Sequence, residues 1–545
     1  MNRNKTASQK NFAISPRADI PRSKFKMRQT RKQAFNASEL IPIMCEEVLP
    51  GDTWQHTESI MARLATPIAP AVDDIDLETF YFYVPNRILW TGNTQRNRWE
   101  DFITGVDPAL TVPKIVPYLS AGTPTGYQIM INGVFDHFGL LPQNYDNNAM
   151  QVTAFPIFAY FMIYNEWFRD QNLQDEWTWS TTWTTATSQT ISNGASWEQQ
   201  CLRANKRHDY FTSSLPFAQK GAPVQMPLGA TAPIFTTGVP TDIFNIGTST
   251  AGTQIHIGGT PAAFQSPTNT DPINVFADLG SATSATINAI RLAFQTQRML
   301  ERDARGGSRY VEQLISHFGV RAPDFRLQRP EYLGGSKIPI TVNPVAQTAD
   351  YTAAPDDTAS AVGNLGAEMH ASGHKRTFTY AAVEHGYIIG LALVRATPTY
   401  QQGTRRHWRR ETRLDYYLPV FSHLGEQAVA TQEIYQPGDN TPSNETWGYQ
   451  ERWAEMRYTP NEITGHLRST SATPMDWWHY AEEFGTEPAL NDVFITDKTQ
   501  ETLARSLATA PTEQWSAQII MDIQHSSIVA RLMPTYSVPG LIDHF

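Results

Sequence analysis

Five arginines fall within the nine residues 405–413, which read Arg-Arg-His-Trp-Arg-Arg-Glu-Thr-Arg. Guanidinium forks match phosphate oxygens, and Trp408 or His407 offers a flat ring on which an unpaired base can stack. Arg405, Arg406, Trp408, Arg409 and Arg410 are therefore read as a nucleic-acid contact. The ordinary alternative is that these arginines pair with acidic side chains of the body, or across a subunit contact. A second cationic stretch lies at 1–33, where Arg3, Lys5, Lys10, Arg17, Arg22, Lys24, Lys26, Arg28, Arg31 and Lys32 face a single acid, Asp19. The rest of the chain carries 33 basic against 52 acidic residues. Pro16 and Pro21 break any long helix there, so the stretch reads as a flexible arm that binds phosphate backbones by counterion release.

Chemistry of other kinds finds little support. No Gly-Lys dipeptide exists to build a P-loop, and GxGxxG, GxSxG and HExxH are absent. The fourteen histidines are dispersed and never spaced as a metal pair. Asp73, Asp74, Asp76 and Glu78 lack the ligand-loop pattern of a calcium site and read as the solvated start of a strand. Trp167, Trp177, Trp179, Trp183 and Trp197 suggest a sugar-binding surface, although packing in a core or an interface is the commoner use of such rings. No catalytic residue, cofactor or metal ligand is expected.

The elements that must position these groups read mainly as strands. Residues 74–83 place Ile75, Leu77, Tyr81 and Tyr83 on one face. Residues 387–395 form a buried-type apolar run, 515–523 alternate, and 41–51 are extended between Pro42 and Pro50. Helices are expected at 159–173 and 286–304 as packing elements, the second with Ala289, Leu292, Ala293, Thr296, Met299 and Leu300 on one stripe. Strands this far apart in sequence fit an all-β sandwich with large loops better than alternating βαβ units. Residues 226–285 are rich in Gly, Pro, Thr, Ser and Ala, with only Asp242, Asp271 and Asp278 charged, and read as a small β-rich excursion prone to self-association.

The bulk numbers agree. The 545 residues carry a net charge of −10, only 18% charged side chains, 11% aromatics with 14 Trp, and 36 scattered prolines. Few charges and many large rings suit a protein that covers much of its surface with partners. Two cysteines, Cys45 and Cys201, make no disulfide framework, and a reducing compartment is expected. No apolar stretch follows the N-terminal charge, so no secretory signal is expected. The longest apolar run, 155–164, contains Pro156 and is too short to span a bilayer, so no membrane insertion is expected.

Six blocks carry a resemblance: IPRSKFKMRQTRKQAFNASELIP at 20–42, YNEWFRDQNLQ at 164–174, NKRHDYFTSSLPFAQKGAPV at 205–224, HFGVRAPDFRLQRPEYLGGSKIPI at 317–340, EHGYIIGLALVRATPTYQQG at 384–403 and VARLMPTYSVPGLIDHF at 529–545. Together they resemble the major capsid protein of the Microviridae, small single-stranded DNA bacteriophages, in its gokushovirus branch. The branch's Leu-Pro-Trp-Pro-Gln-Lys-Gly departs here at Phe217 and Ala218. The resemblance implies an eight-stranded antiparallel jelly roll with long interstrand loops, assembled as a T=1 icosahedral shell around a circular single-stranded DNA genome. It implies a basic arm at 1–35, a jelly-roll core at 36–225 and 286–545, and an inserted three-fold spike at 226–285 for host attachment. The partners implied are further copies of the chain, the genome, a small basic DNA-packaging protein, an internal scaffolding protein, a DNA pilot protein and a host cell-surface receptor. The location implied is the virion, assembled in the bacterial cytoplasm. The rival reading is a carbohydrate-binding or carbohydrate-active β-sandwich, which leaves the arm unexplained.

Overall fold

The computed structural model describes residues 22–92, 98–115, 130–142, 152–179, 200–222, 287–305, 328–349, 362–436, 445–508 and 517–536, with short pieces at 127–128, 144–145, 191, 224, 234–236, 264–265, 272–273, 275–277 and 316. Two antiparallel sheets organise the larger unit, which comprises Met1–Pro216 and Pro323–Phe545. In chain order the strands are β1 (Ser23–Phe35), β2 (Ile41–Val48), β3 (Thr53–Leu64), β4 (Ile75–Pro85), β5 (Glu331–Pro339), β6 (Thr341–Ala346), β7 (Leu365–Ala381), β8 (Gly386–Ala396), a hairpin of β9 (Glu426–Ala430) and β10 (Thr446–Glu451), and β11 (Ile519–Arg531). One sheet has the order β1-β11-β3-β7-β6 and the other β5-β4-β8-β2. The chain changes sheet between β1 and β2, β2 and β3, β3 and β4, β5 and β6, and β7 and β8.

Sequence period sets which side chains enter the sandwich. In β3, Trp54, His56, Glu58, Ile60, Ala62 and Leu64 are buried, while the residues between them are half-buried or exposed. β4 and β8 are buried on both faces, as their near-continuous apolar runs require. The inner side of their sheet meets the five-stranded sheet, and helix α1 (Phe155–Ile163) packs against β8. Pro156 sits in the first turn of α1, where its fixed φ and missing N–H cost nothing. The helix widens into a π turn at Tyr164–Phe168, so it starts earlier and ends earlier than the expected 159–173. Phe168 meets Phe80 edge-on at 5.2 Å between ring centres, and Trp167 lies 5.5 Å from Phe82. Phe82, the fully buried ring of the four, contributes about 1.5–3 kcal/mol relative to exposure.

Local chemistry marks the irregular points. β5 bulges between Tyr332 and Gly334, and Gly334 takes a φ of +153°. Its neighbour Gly335 lies so close to β4 that a Cβ there would sit 1.9 Å from the Thr79 carbonyl oxygen. Pro344 is placed in β6, at the free edge of its sheet, where the missing N–H breaks no ladder. β11 starts at Ile519, within the expected 515–523, and runs on to Arg531 in unbroken register with both β1 and β3. A second, smaller core gathers Phe211, Tyr400, Val429, Trp447 and Phe494 beside the β9–β10 hairpin.

Residues Phe217–Ala322 form the other compact unit. It contains helix α2 (Ile287–Arg305) and two short antiparallel pairs, Ile234–Thr236 with Val275–Ala277 and Phe264–Gln265 with Pro272–Ile273. Most of 226–285 lies outside the described residues. The stripe expected to bury α2 is left open: Leu292 and Met299 are exposed, and only Ala304 of the helix is buried.

Candidate nucleic-acid interface

Arg3, Lys5, Lys10 and Arg17 lie outside the described residues. The second half of the basic stretch is a strand, β1, paired along its whole length with β11. Alternation divides its cations. Lys24, Lys26, Arg28 and Lys32 all point to the open face of the five-stranded sheet and are exposed. Arg31 has the opposite parity and is half-buried, donating from Nη1 to the carbonyls of His137 (3.0 Å) and Pro42 (3.4 Å). Burial lowers the pKa of its guanidinium. Arg22, just before the strand, reaches the Thr53 hydroxyl at 3.5 Å. Among the described residues β1 is an edge strand, and its other backbone edge carries no ladder.

The arginine cluster has a different character. Arg406–Arg409 forms a single 3₁₀ turn, and carboxylates meet its cations. Arg405 pairs with Glu462, Arg406 Nη1 lies 3.1 Å from Glu433, and Arg410 Nη2 lies 3.3 Å from Glu455. Burial raises the Glu433 carboxyl pKa while Arg406 opposes the rise, and the Tyr210 hydroxyl donates to the same carboxylate at 2.9 Å. These pairs line a cavity of about 390 Å³ with Tyr210, Tyr400, Trp408 and Tyr458 on its wall. Trp408 is 76% exposed, with the His407 ring 5.0 Å away. A phosphate entering here competes with three carboxylates already in place, whereas the row on β1 faces water.

The acidic cluster follows its sequence reading at Asp74, which is exposed, and departs from it at Asp76 and Glu78. Asp76 and Glu78 are not solvated; they are buried under Arg207 and Arg395. Arg207 Nη2 lies 2.7 Å from Asp76 and 3.1 Å from Glu78, Arg395 Nε lies 2.8 Å from Glu78, and Lys337 Nζ lies 3.0 Å from Asp76. Carboxylates with period two at a strand start resemble a solvent face, and only the fold brings Arg207 over them. Nearby, Lys206 Nζ pairs with Glu482 at 2.6 Å and sits 4.3 Å over the Phe494 ring. Sequence spacing singled out neither Arg207 nor Arg395; the one available signal was an arginine closing the apolar run of β8.

The tryptophan group also resolves into packing where it is described. Trp177 contacts Phe161 at 5.3 Å and Trp179 stacks on Phe158 at 5.2 Å, both against α1, while Trp183 and Trp197 lie outside the described residues. Cys45 and Cys201 are free thiols. Burial pushes Cys45 up to about 12, and Cys201 rises for the same reason. Among the described residues no group of three or more His, Cys, Asp or Glu side chains is placed to hold a metal ion, and no helix is long and apolar enough to cross a membrane.

Residues 411–420 are exposed without interruption and include Leu414, Tyr416, Tyr417, Leu418 and Val420, the last 82% exposed. Their base is pinned by Trp453, whose Nε1 donates to the Phe421 carbonyl at 3.0 Å and whose ring meets Tyr417 edge-on at 5.4 Å.

Comparison with known proteins bears on the whole chain. The family model described as capsid protein (F protein) matches residues 14–541. The capsid protein VP1 of Bdellovibrio phage phiMH2K is 40% identical over 99% of each chain. The capsid proteins VP1 of Chlamydia phage 1 and of Spiroplasma virus 4 are each 36% identical, over 97% of each chain.

Proposed function

This chain belongs to the capsid protein (F protein) family of small bacteriophages, and from that premise we propose that it is the repeating subunit of a T=1 icosahedral shell around a circular single-stranded DNA genome. Its role is structural and not enzymatic, it assembles with copies of itself, and its place is the virion. The observation that carries the reading is the end-to-end match to three capsid proteins. The sandwich supports it too. The order β1-β11-β3-β7 against β2-β8-β4-β5, with β6 beyond β7, supports the reading of this sandwich as an eight-stranded jelly roll with one added strand.

Assembly needs apolar surface that a lone subunit leaves wet. The segment 411–420 supplies it on the larger unit, and Leu292, Phe294 and Met299 of α2 supply it on the smaller one. A closed shell repeats each modest contact by symmetry, so weak contacts add to a stable particle. Residues 226–285 form, in this reading, a trimeric protrusion that attaches to a host receptor. The cations of 1–35 neutralise packaged DNA, with Lys24, Lys26, Arg28 and Lys32 better placed for phosphates than the carboxylate-paired Arg405, Arg406 and Arg410. A small basic packaging protein, an internal scaffolding protein and a DNA pilot protein complete the assembly. The carbohydrate reading loses two of its five rings, since Trp177 and Trp179 pack against α1.

Electron microscopy of particles from producing bacteria, with nuclease-protected DNA assayed in the same fraction, tests the proposal. Small icosahedra with three-fold knobs and protected single-stranded DNA are expected. Monomers that stay unassembled when the scaffolding protein is co-expressed would overturn it.

A further inference from the structure

We propose that the open face of the five-stranded sheet, and not the basic stretch alone, is the floor on which single-stranded DNA lies. This deepens the capsid reading and rests on it. The two sheets differ in how they are covered. The outer side of β4 and β8 is buried, whereas the outer side of β1, β11, β3 and β7 carries a grid of polar and charged groups open to water.

Register builds that grid row by row. Arg28 pairs with Ser526, which pairs with Thr57, which pairs with Arg376. One row on, Thr30, Gln524, Ser59 and His374 stand in line, and beyond them Ile520, Arg63 and His370. The face thus has four cations along the β1 margin, Arg63 on the middle strand β3 and Arg376 beyond it on β7, with hydroxyls and amides between. The margins are about 14 Å apart for β1 and β7, at three strand spacings, and the row on β1 is about 27 Å long. Two acids share the face: Asp522 opposite Lys32, and Glu368, which pairs with Arg63 at 3.7 Å between two well-exposed side chains. Such an exposed pair yields readily to a phosphate.

Three apolar side chains stand within the same grid: Met61, Ile520 and Ile528, each more than a third exposed. An edge strand guarded by lysines needs no apolar neighbours on its open face. A single strand of nucleic acid uses both kinds of group, phosphates on the cations and base faces on the apolar side chains. Charge selects a polyanion here, and the flat, mixed surface suits unpaired bases. Arg63, Arg376 and the apolar side chains lie well outside the basic stretch that the sequence marks.

Fluorescence anisotropy of a labelled 20-nucleotide oligothymidylate on the full-length chain, across a series of NaCl concentrations, tests this. Each phosphate neutralised on a single strand contributes about −0.7 to the slope of log K against log salt. Arg63→Gln with Arg376→Gln should flatten the slope by about 1.4 and weaken binding on the order of tenfold at low salt, with the melting temperature unchanged. Met61→Ser with Ile528→Ser should weaken binding without changing the slope. An unchanged slope in the arginine pair, alongside a flattened one in Lys24→Gln with Lys26→Gln, would overturn the sheet-face proposal and leave the basic-stretch reading standing. Loss of solubility in the lysine pair with no change of slope would assign those lysines to guarding the edge and overturn it as well. None of these outcomes touches the capsid reading, which particle assembly decides.

Discussion

Acid should weaken this fold through one buried pair. His56 and His525 lie inside the sandwich with ring centres 5.3 Å apart, and hydrogen bonds fix their tautomers. The Ile43 carbonyl only accepts, so His525 Nε2–H donates to it at 3.0 Å and leaves Nδ1 as an acceptor. His56 Nε2–H therefore donates to that Nδ1 at 3.4 Å, and His56 Nδ1 accepts from the Ser527 hydroxyl at 2.8 Å. A proton added to His525 Nδ1 meets the N–H of His56 Nε2, whereas one added to His56 Nδ1 turns the Ser527 hydroxyl from donor to acceptor. Burial pushes His56 down to about 3, with His525 adding to the effect, and burial pushes His525 down to about 4. Glu58 and Tyr81 face the pair from β3 and β4, and Arg31 from β1. The unfolded chain takes up both protons near pH 6.5, so stability is full above that pH and falls as pH drops toward the folded values. Each unit between is worth about 1.4 kcal/mol per group, so from pH 7 to pH 5 each ring costs the fold about 2 kcal/mol and the pair about 4. Buried carboxyls such as Asp497 and Glu482, whose pKa burial raises, act in the opposite direction, so a difference between variants is the clean measure. Urea unfolding of the full chain at pH 7 and pH 5, for the parent and His525→Gln, supplies it. The variant should lose about 2 kcal/mol less between the two pH values, whatever its stability at pH 7. Identical pH dependence in both proteins would refute the reasoning.

Glu78→Gln should lower stability by about 3 kcal/mol, read as a drop in melting temperature, because Arg207 and Arg395 are left buried with one carboxylate between them. Leu414→Asp with Val420→Asp should leave the melting of the unassembled subunit unchanged while abolishing fast-sedimenting particles, since both side chains are exposed in the single chain. Gly335→Ala should destabilise by about 3 kcal/mol or more, measured in the same way, because its Cβ collides with backbone that has no room to move. Cys45 and Cys201 should react with a thiol reagent at pH 8 only after denaturant is added, as burial raises both pKa values.

Sequence pattern located β4, β8 and β11 because each has a side that must be buried, and burial leaves an apolar period. It did not locate β7, whose seventeen residues include His370, His374, Lys375 and Arg376, because half of that strand never leaves water. β1 shows the same limit from another side. Ser-Lys-Phe-Lys-Met-Arg alternates as a strand should, but the charge drew the reading toward a flexible arm. The arginines at 405–410 were visible at once, whereas their partners Glu433, Glu455 and Glu462 come from a short helix, a 3₁₀ turn and a short strand that no local spacing connects to them. Asp76 and Glu78 were misplaced for the same reason.

The pairing of β1 with β11 also sets a timetable. Ser23 meets Arg531 and Phe35 meets Ile519, partners about five hundred residues apart in the chain, and β11 lies between β1 and β3. A ribosome must therefore release the chain through Arg531 before that sheet can close, and a chain broken off before Ile519 leaves β1 and β3 with a missing strand between them. Synthesis of β11 becomes a checkpoint: a chain that lacks it has no strand to join β1 to β3, and its sandwich stays open.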